Sequence, residues 1–327
     1  MQTFKTLQEI IISQLDIEAE KLNSLEPINL YEPISYALQI GGKRLRPALL
    51  LMACEMFGGQ LDDAMPAAIG IEVFHNFTLV HDDIMDNAPL RRNKPTVYKK
   101  YNINIALLSG DGMLNLCYQY FLQSKNKSVN DILLLFSQTA NQVMEGQQYD
   151  MDFETQQQVP IDSYLEMIKL KTAVLFACSL KIGAIIGNAS PSDANRLYNF
   201  GINLGLAFQL QDDLLDVYAE QDKFGKKSGG DIVANKKTFL LIKALELAND
   251  EQKEELAKWL TNEDFDAEEK INAVKAIYDE LGIQEITGKA IEYFYQNTMN
   301  ELNDIELQYS QKEELIFLVN QIMKREN

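Results

Sequence analysis

Val80-His81-Asp82-Asp83-Ile84-Met85-Asp86 closes a long apolar run that begins near Asp63 and ends at Asn87-Ala88-Pro89. Apolar residues in that run recur at three- and four-residue spacing, the pattern of an α-helix. On such a helix Asp82 and Asp86 stack on one face, with Asp83 to the side. Like charges at that spacing repel, and carboxylates near a helix C-terminus also oppose the macrodipole. A stable helix carries them there only with a compensating cation. Hard divalent ions such as Mg²⁺ take oxygen ligands, commonly one or two carboxylates plus substrate phosphates. Taken alone, the stretch fits a solvated acidic face equally well.

A second stretch changes that balance. Phe208-Gln209-Leu210-Gln211-Asp212-Asp213-Leu214-Leu215-Asp216 repeats the Asp-Asp-x-x-Asp spacing late in another apolar helical run. Basic residues follow both clusters: Arg91 and Arg92 after the first, Lys223, Lys226 and Lys227 after the second. Two carboxylate clusters with flanking cations describe the walls of a site for a metal-bound diphosphate.

The rest of the chain is read in the same helical period, with strand-like alternation scarce, so the expected class is all-α. Helix breaks are expected at Gly41-Gly42, Gly58-Gly59, Pro89 to Pro95, Ser109-Gly110, Lys125 to Val129, Val159-Pro160, Gly187 to Pro191 and Gly225 to Gly230. No proline follows Pro191, and no Gly/Ser/Pro-rich linker divides the chain, which reads as one domain over residues 1–327.

With 48 acidic against 30 basic residues, the formal charge is −18. That excludes the basic footprint of a nucleic-acid or anionic-membrane partner. An anionic substrate therefore requires locally concentrated cations. The candidates are Lys43, Arg44 and Arg46; Arg91, Arg92 and Lys94; Lys169 and Lys171; and Lys226, Lys227, Lys236 and Lys237. Cys54, Cys117 and Cys178 are isolated and lie in apolar surroundings, as small core residues of a cytoplasmic protein would. No signal-peptide pattern or membrane-spanning apolar run is expected.

Gly41-Gly42-Lys43-Arg44-Leu45-Arg46-Pro47 is a candidate anion site. Its glycines allow close backbone approach, and Pro47 suits the first turn of a helix, whose N-terminus favours phosphate. The only histidines, His75 and His81, share the helix leading into Asp82; a projection puts His75 and Thr78 on the stripe of Asp82 and Asp86, and His81 off it. Their spacing and the lack of a third ligand argue against zinc. Arg91 and Arg92 are adjacent and point apart, so each can serve a different anion.

In these motifs the chain resembles the trans-isoprenyl diphosphate synthases, from Gly41 to Thr238 and in the family's order. The resemblance implies an antiparallel helical bundle around a central cavity. It implies head-to-tail condensation of isopentenyl diphosphate with dimethylallyl, geranyl or farnesyl diphosphate. Asp82, Asp83, Asp86, Asp212, Asp213 and Asp216 would hold several Mg²⁺ ions, with Mn²⁺ as a substitute. Gly42, Lys43, Arg46, His75 and Arg92 would bind isopentenyl diphosphate. Arg91 would bind the allylic diphosphate, and Lys226 or Lys227, as the lysine of the mobile Gly-Lys loop, would bind substrate. Lys171 would contact that diphosphate, Thr172 the reacting carbon and Gln209 the developing cation, with Lys236 beside them. A homodimer is implied, for which the apolar segment from Ile103 to Leu122 offers a surface. Two other classes remain open at this point: a class I terpene cyclase and a non-catalytic partner subunit. The Gly-Gly-Lys-x-x-Arg site argues against the first, and the six intact aspartates argue against the second.

Product length turns on Phe74, Phe77 and Thr78, one and two turns below Asp82. Thr78 is small and Phe77 is the first bulky residue. In the family that pattern, without an insertion in the aspartate motif, accompanies geranylgeranyl diphosphate as the product, with farnesyl or a longer chain as the alternative. The segment after Ala244 carries no motif, beyond Lys324-Arg325 near its end.

Overall fold

The helix ending in the first aspartate motif is apolar on every side, as a helix enclosed by others must be. It is α4 (Leu61–Met85), and Ala64, Ala67, Ile71, Phe74, Phe77 and Val80 are all buried along it. The computed structural model describes residues 2–124, 128–219, 229–262 and 264–323. Before α4 come α1 (Phe4–Asn23), α2 (Ile28–Gln39) and α3 (Leu45–Met56). After it come a two-stranded hairpin, β1 (Leu90–Arg91) with β2 (Lys94–Pro95), then α5 (Val97–Lys100) and α6 (Ile103–Leu122). Next are α7 (Val129–Thr155), α8 (Ile161–Ile168), a π-helical turn (Lys169–Ala173), α9 (Val174–Ile186) and α10 (Pro191–Tyr218). The chain continues with α11 (Gly230–Val233), α12 (Phe239–Leu247) and α13 (Asp250–Thr261). It goes on through α14 (Ala267–Glu280), α15 (Ile283–Asn303) and α16 (Tyr309–Met323). The all-α class is as the sequence leads one to expect. No helix among the described residues is long and apolar enough to cross a membrane.

Contacts gather into two compact units. The first comprises Met1–Ser137, Cys178–Tyr198 and Ile305–Leu315. In it α4 packs against α3 and α6. Gly70 lies under the Phe121 ring and the Cys117 carbonyl, so α4 and α6 approach closely there. Phe136 packs edge-on against Phe74 and tilted against Phe121, at centroid distances of 5.0 and 4.5 Å. The break expected at Ser109-Gly110 is not present; α6 runs straight through it. Gly110 instead leaves room for the His81 ring, which a Cβ would strike, and the Ser109 hydroxyl donates to the Leu30 carbonyl. These small residues serve packing between helices.

The second unit comprises Gln138–Ala177, Asn199–Asp304 and Ile316–Asn327. Its core joins Tyr164 and Met167 of α8, Leu206 and Leu210 of α10, Leu240 and Leu241 of α12, and Val274 and Tyr278 of α14. In its proline-free part, helix starts are set by side-chain caps: Thr238 for α12, Asn249 in a reciprocal capping box for α13, and Asp266 for α14. Gly282, at φ 66°, separates α14 from α15.

Candidate active site

In the first unit the Gly41-Gly42 turn, α3, α4 and the hairpin bring the expected anion-binding residues together. Lys43 is exposed just ahead of α3, and Arg46 lies in its first turn with Pro47. Arg46 Nη1 lies 3.3 Å from Nε2 of His75 on α4. Burial and the charges of Arg46, Arg92, Arg91 and Arg44 hold His75 well below its usual pKa. The ring is therefore neutral, and Nε2 accepts from the guanidinium.

The hairpin delivers the two arginines separately. Arg92 and Asn93 occupy its two turn positions with φ of 53° and 61°, the geometry of a type I′ turn. Arg92 donates to the Gly41 carbonyl, and its guanidinium fills the space a Cβ on Gly42 would need. Arg91 faces the other way and holds Asp83 through Nε at 2.8 Å and Nη2 at 2.7 Å.

Two of the expected cations serve elsewhere. Arg44 has φ 51°, which swings its side chain away from Lys43 and Arg46 and into the interior. There it bonds Glu72 Oε1 and the Leu38 carbonyl, each at 2.5 Å. It is a strut that fixes the turn to α4. Lys169 pairs at the surface with Glu166 at 2.9 Å.

In both aspartate motifs the second carboxylate turns inward. Asp83 is buried on Arg91, and Asp213 is buried where Gln209 Nε2 donates to Oδ1 at 3.0 Å and the Tyr164 hydroxyl donates to Oδ2. Burial raises the pKa of both acids, that of Asp213 to about 7 against the hydrogen bond from Tyr164. The first and third aspartates sit outward: Asp82, Asp212 and Asp216 are half-buried, and Asp86 is exposed as the C-cap of α4. Among the described residues no three His, Cys, Asp or Glu side chains are grouped closely enough to hold a metal by themselves. An all-carboxylate donor set that leaves coordination positions to phosphate oxygens and water fits Mg²⁺.

In the second unit, Lys171 and Thr172 lie on the π-helical turn. Gly146 of α7 allows it, because the Leu170–Lys171 backbone rests where a Cβ would stand. Such turns break the regular ladder and re-aim side chains, often at functional sites. Lys171 Nζ pairs with Asp150 at 2.5 Å, and the Thr172 hydroxyl donates to Gln209 Oε1 at 3.0 Å. Thr172, Gln209, Asp213 and Tyr164 thus form one chain of hydrogen bonds. Asp216 Oδ2 accepts from the Asp231 amide at 2.9 Å, and Lys236 Nζ lies 4.0 Å from Asp231 Oδ1. Lys226 and Lys227 lie outside the described residues, as do Lys324 and Arg325.

Phe77 is buried on α4 between Phe74 (5.6 Å) and His81 (4.8 Å). Thr78 is half-buried, with its hydroxyl on the His75 carbonyl at 2.8 Å. His81 faces the Leu107 carbonyl at 3.2 Å, a packing role. Asp150, Tyr164 and Glu72, which belong to none of the sequence motifs, also hold side chains of the site. Glu72 carries a signal, a lone acid between Ile71 and Val73 in an apolar helical run, whereas Asp150 and Tyr164 lie among other polar residues and carry none.

Comparison with known proteins gives one consistent result. The polyprenyl synthetase family model matches residues 27–280. A geranylgeranyl diphosphate synthase of Sulfolobus acidocaldarius is 37% identical over 301 residues, covering 91% of this chain and 90% of that protein. A geranylfarnesyl diphosphate synthase of Natronomonas pharaonis is 38% identical over 244 residues, 69% of this chain and 72% of that protein. A crystal structure of a geranylgeranyl pyrophosphate synthase superposes with a TM-score of 0.94 at 43% identity, covering 100% of both chains.

Proposed function

Since the chain belongs to the polyprenyl synthetase family and is a prenyltransferase, we propose that it condenses isopentenyl diphosphate with dimethylallyl, geranyl and farnesyl diphosphates to yield all-trans geranylgeranyl diphosphate. The observation that carries this reading is the cluster of Arg46, Arg91 and Arg92 around a neutral His75, beside an aspartate motif, in a chain of charge −18. So local a concentration of cations in so acidic a chain supports an anionic ligand.

In this reading Lys43, Arg46 and Arg92 receive the isopentenyl diphosphate, and His75 orients Arg46 without adding charge. Lys171 and Lys236 hold the allylic diphosphate, with Asp82, Asp86, Asp212 and Asp216 as ligands of divalent ions. Those ions, when bound, neutralise charge on the departing diphosphate. Asp83 and Asp213 position the motifs through Arg91, Gln209 and Tyr164. The allylic C–O bond breaks, and its electron pair leaves with the diphosphate. The resulting cation lies near Thr172 and Gln209, whose dipoles stabilise it without supplying a nucleophile. The isopentenyl double bond attacks, and the released diphosphate takes the proton then lost.

A homodimer is part of the proposal, supported by the exposed Ile103, Leu107 and Leu108 on α6. A cytoplasmic location is too, supported by three buried cysteines that form no disulfide. Incubation with dimethylallyl and isopentenyl diphosphates, with and without Mg²⁺, tests the reaction. Metal-dependent incorporation of isopentenyl units supports it, and turnover of the allylic substrate alone would point to a cyclase.

A further inference from the structure

The segment from Gly229 to Thr238 serves the site at two points: the Asp231 amide bonds Asp216, and Lys236 stands beside Asp231. What fixes this segment is α14, in the stretch of chain that carries no motif. Lys270 lies on the buried stripe of α14 with Val274, Ile277 and Tyr278, and it is 0% exposed. Its Nζ donates to Asn235 Oδ1 at 2.6 Å and to the Val233 carbonyl at 3.3 Å, and it lies 4.2 Å from the centre of the Phe265 ring. Both of these acceptors are neutral, so neither offsets the lost hydration with an opposite charge, and burial draws the ammonium pKa down. An apolar side chain would fill that position at lower cost. What the ammonium adds is direction. Asn235 is left-handed at φ 56°, and its Nδ2 also donates to the Leu260 carbonyl at 3.0 Å. The neighbouring Ile271 closes over Gly229, at φ 87°, where no Cβ fits.

We propose that Lys270 is a positioning residue for prenyl transfer: by holding Asn235 and Val233 it fixes the turn that aims Lys236 and seats the Asp231 amide on Asp216. This rests on the reading of Asp216 and Lys236 as allylic-diphosphate residues. The experiment compares Lys270→Met, of matching length, and Asn235→Gly, which keeps the left-handed backbone but removes the acceptor. Each is made in the wild-type and Lys236→Ala backgrounds. Both should speed amide exchange over residues 231–238 and raise the allylic KM about tenfold, with the isopentenyl KM within about twofold. In the Lys236→Ala background the added kinetic effect should be smaller than in wild type, leaving only the part carried by the Asp231 amide on Asp216. Unchanged exchange, equal rises in both KM values, or losses that multiply with Lys236→Ala would each overturn the proposal. If Lys270→Met does not fold, Asn235→Gly decides by the same readouts. Wild-type protein that transfers no prenyl group would overturn the functional reading, while the exchange result would still decide whether the clamp exists.

Discussion

Arg46 and His75 lie on different helices, α3 and α4, yet Arg46 Nη1 is 3.3 Å from His75 Nε2. The histidine serves as a neutral acceptor for that guanidinium.

Any neutral acceptor of similar reach should do the same work. His75→Gln is expected to keep kcat/KM for isopentenyl diphosphate within about threefold, whereas His75→Lys should lower it about a hundredfold or more. The pH dependence of stability follows from the same geometry. The folded-state pKa of His75 is depressed below 6.5, so on acidification the unfolded chain takes up the proton first. The stabilisation is present above pH 6.5 and is lost as pH falls toward the folded value. Melting temperatures at pH 7.5 and 5.5 should show an acid-side drop in wild type that is smaller in His75→Gln. Equal drops in both would contradict it.

The first and second aspartates of a motif should fail differently. Asp82→Asn is expected to lower kcat by about 10²–10³-fold with an unchanged melting temperature. Asp83→Asn removes the negative charge of a mostly buried ion pair with Arg91 and should also cost about 2 kcal/mol of stability. Denaturant titration of the two variants separates these outcomes. An Asp83→Asn protein as stable as Asp82→Asn would refute the positioning role.

Gly42 combines φ 129° with a Cβ position already occupied by Arg92. Gly42→Ala must therefore strain the turn and displace the guanidinium. Like Lys43→Ala and Arg46→Ala, it is expected to raise the isopentenyl KM at least about tenfold while the allylic KM changes little. Steady-state kinetics with each substrate varied in turn provide the check, and equal losses for both would show the two sites assigned wrongly.

Product length offers a graded test on α4. Phe77→Ala opens space toward Phe74 and should lengthen the product, whereas Thr78→Phe narrows the path one turn below Asp82 and should shorten it. Chromatography of the dephosphorylated products reads both. Unchanged lengths in both variants would remove these residues as the gate.

Helical periodicity and the two aspartate clusters made the class and the main motifs legible in the sequence, because burial imposes a period that the chain displays directly and each cluster is contiguous in it. Backbone conformation is less visible. Arg44 reads like its basic neighbours until φ 51° turns it inward to Glu72. Ser109-Gly110 has the composition of a break, yet its small side chains serve the approach of His81 and α2. The π-helical turn under Lys171 depends on Gly146, in a helix earlier in the chain, and no local pattern announces it. Lys270 looks like a surface lysine because sequence does not reveal that its helix buries that face.

Chain elongation from isopentenyl diphosphate to a geranylgeranyl product is open to a single assay. The most direct test incubates the protein with isotopically labelled isopentenyl diphosphate, dimethylallyl diphosphate and Mg²⁺, followed by dephosphorylation and chromatography of the alcohols. Labelled geranylgeraniol as the main product, abolished by excess chelator, is the predicted result. No incorporation of label, or incorporation that persists in excess chelator, would contradict the account.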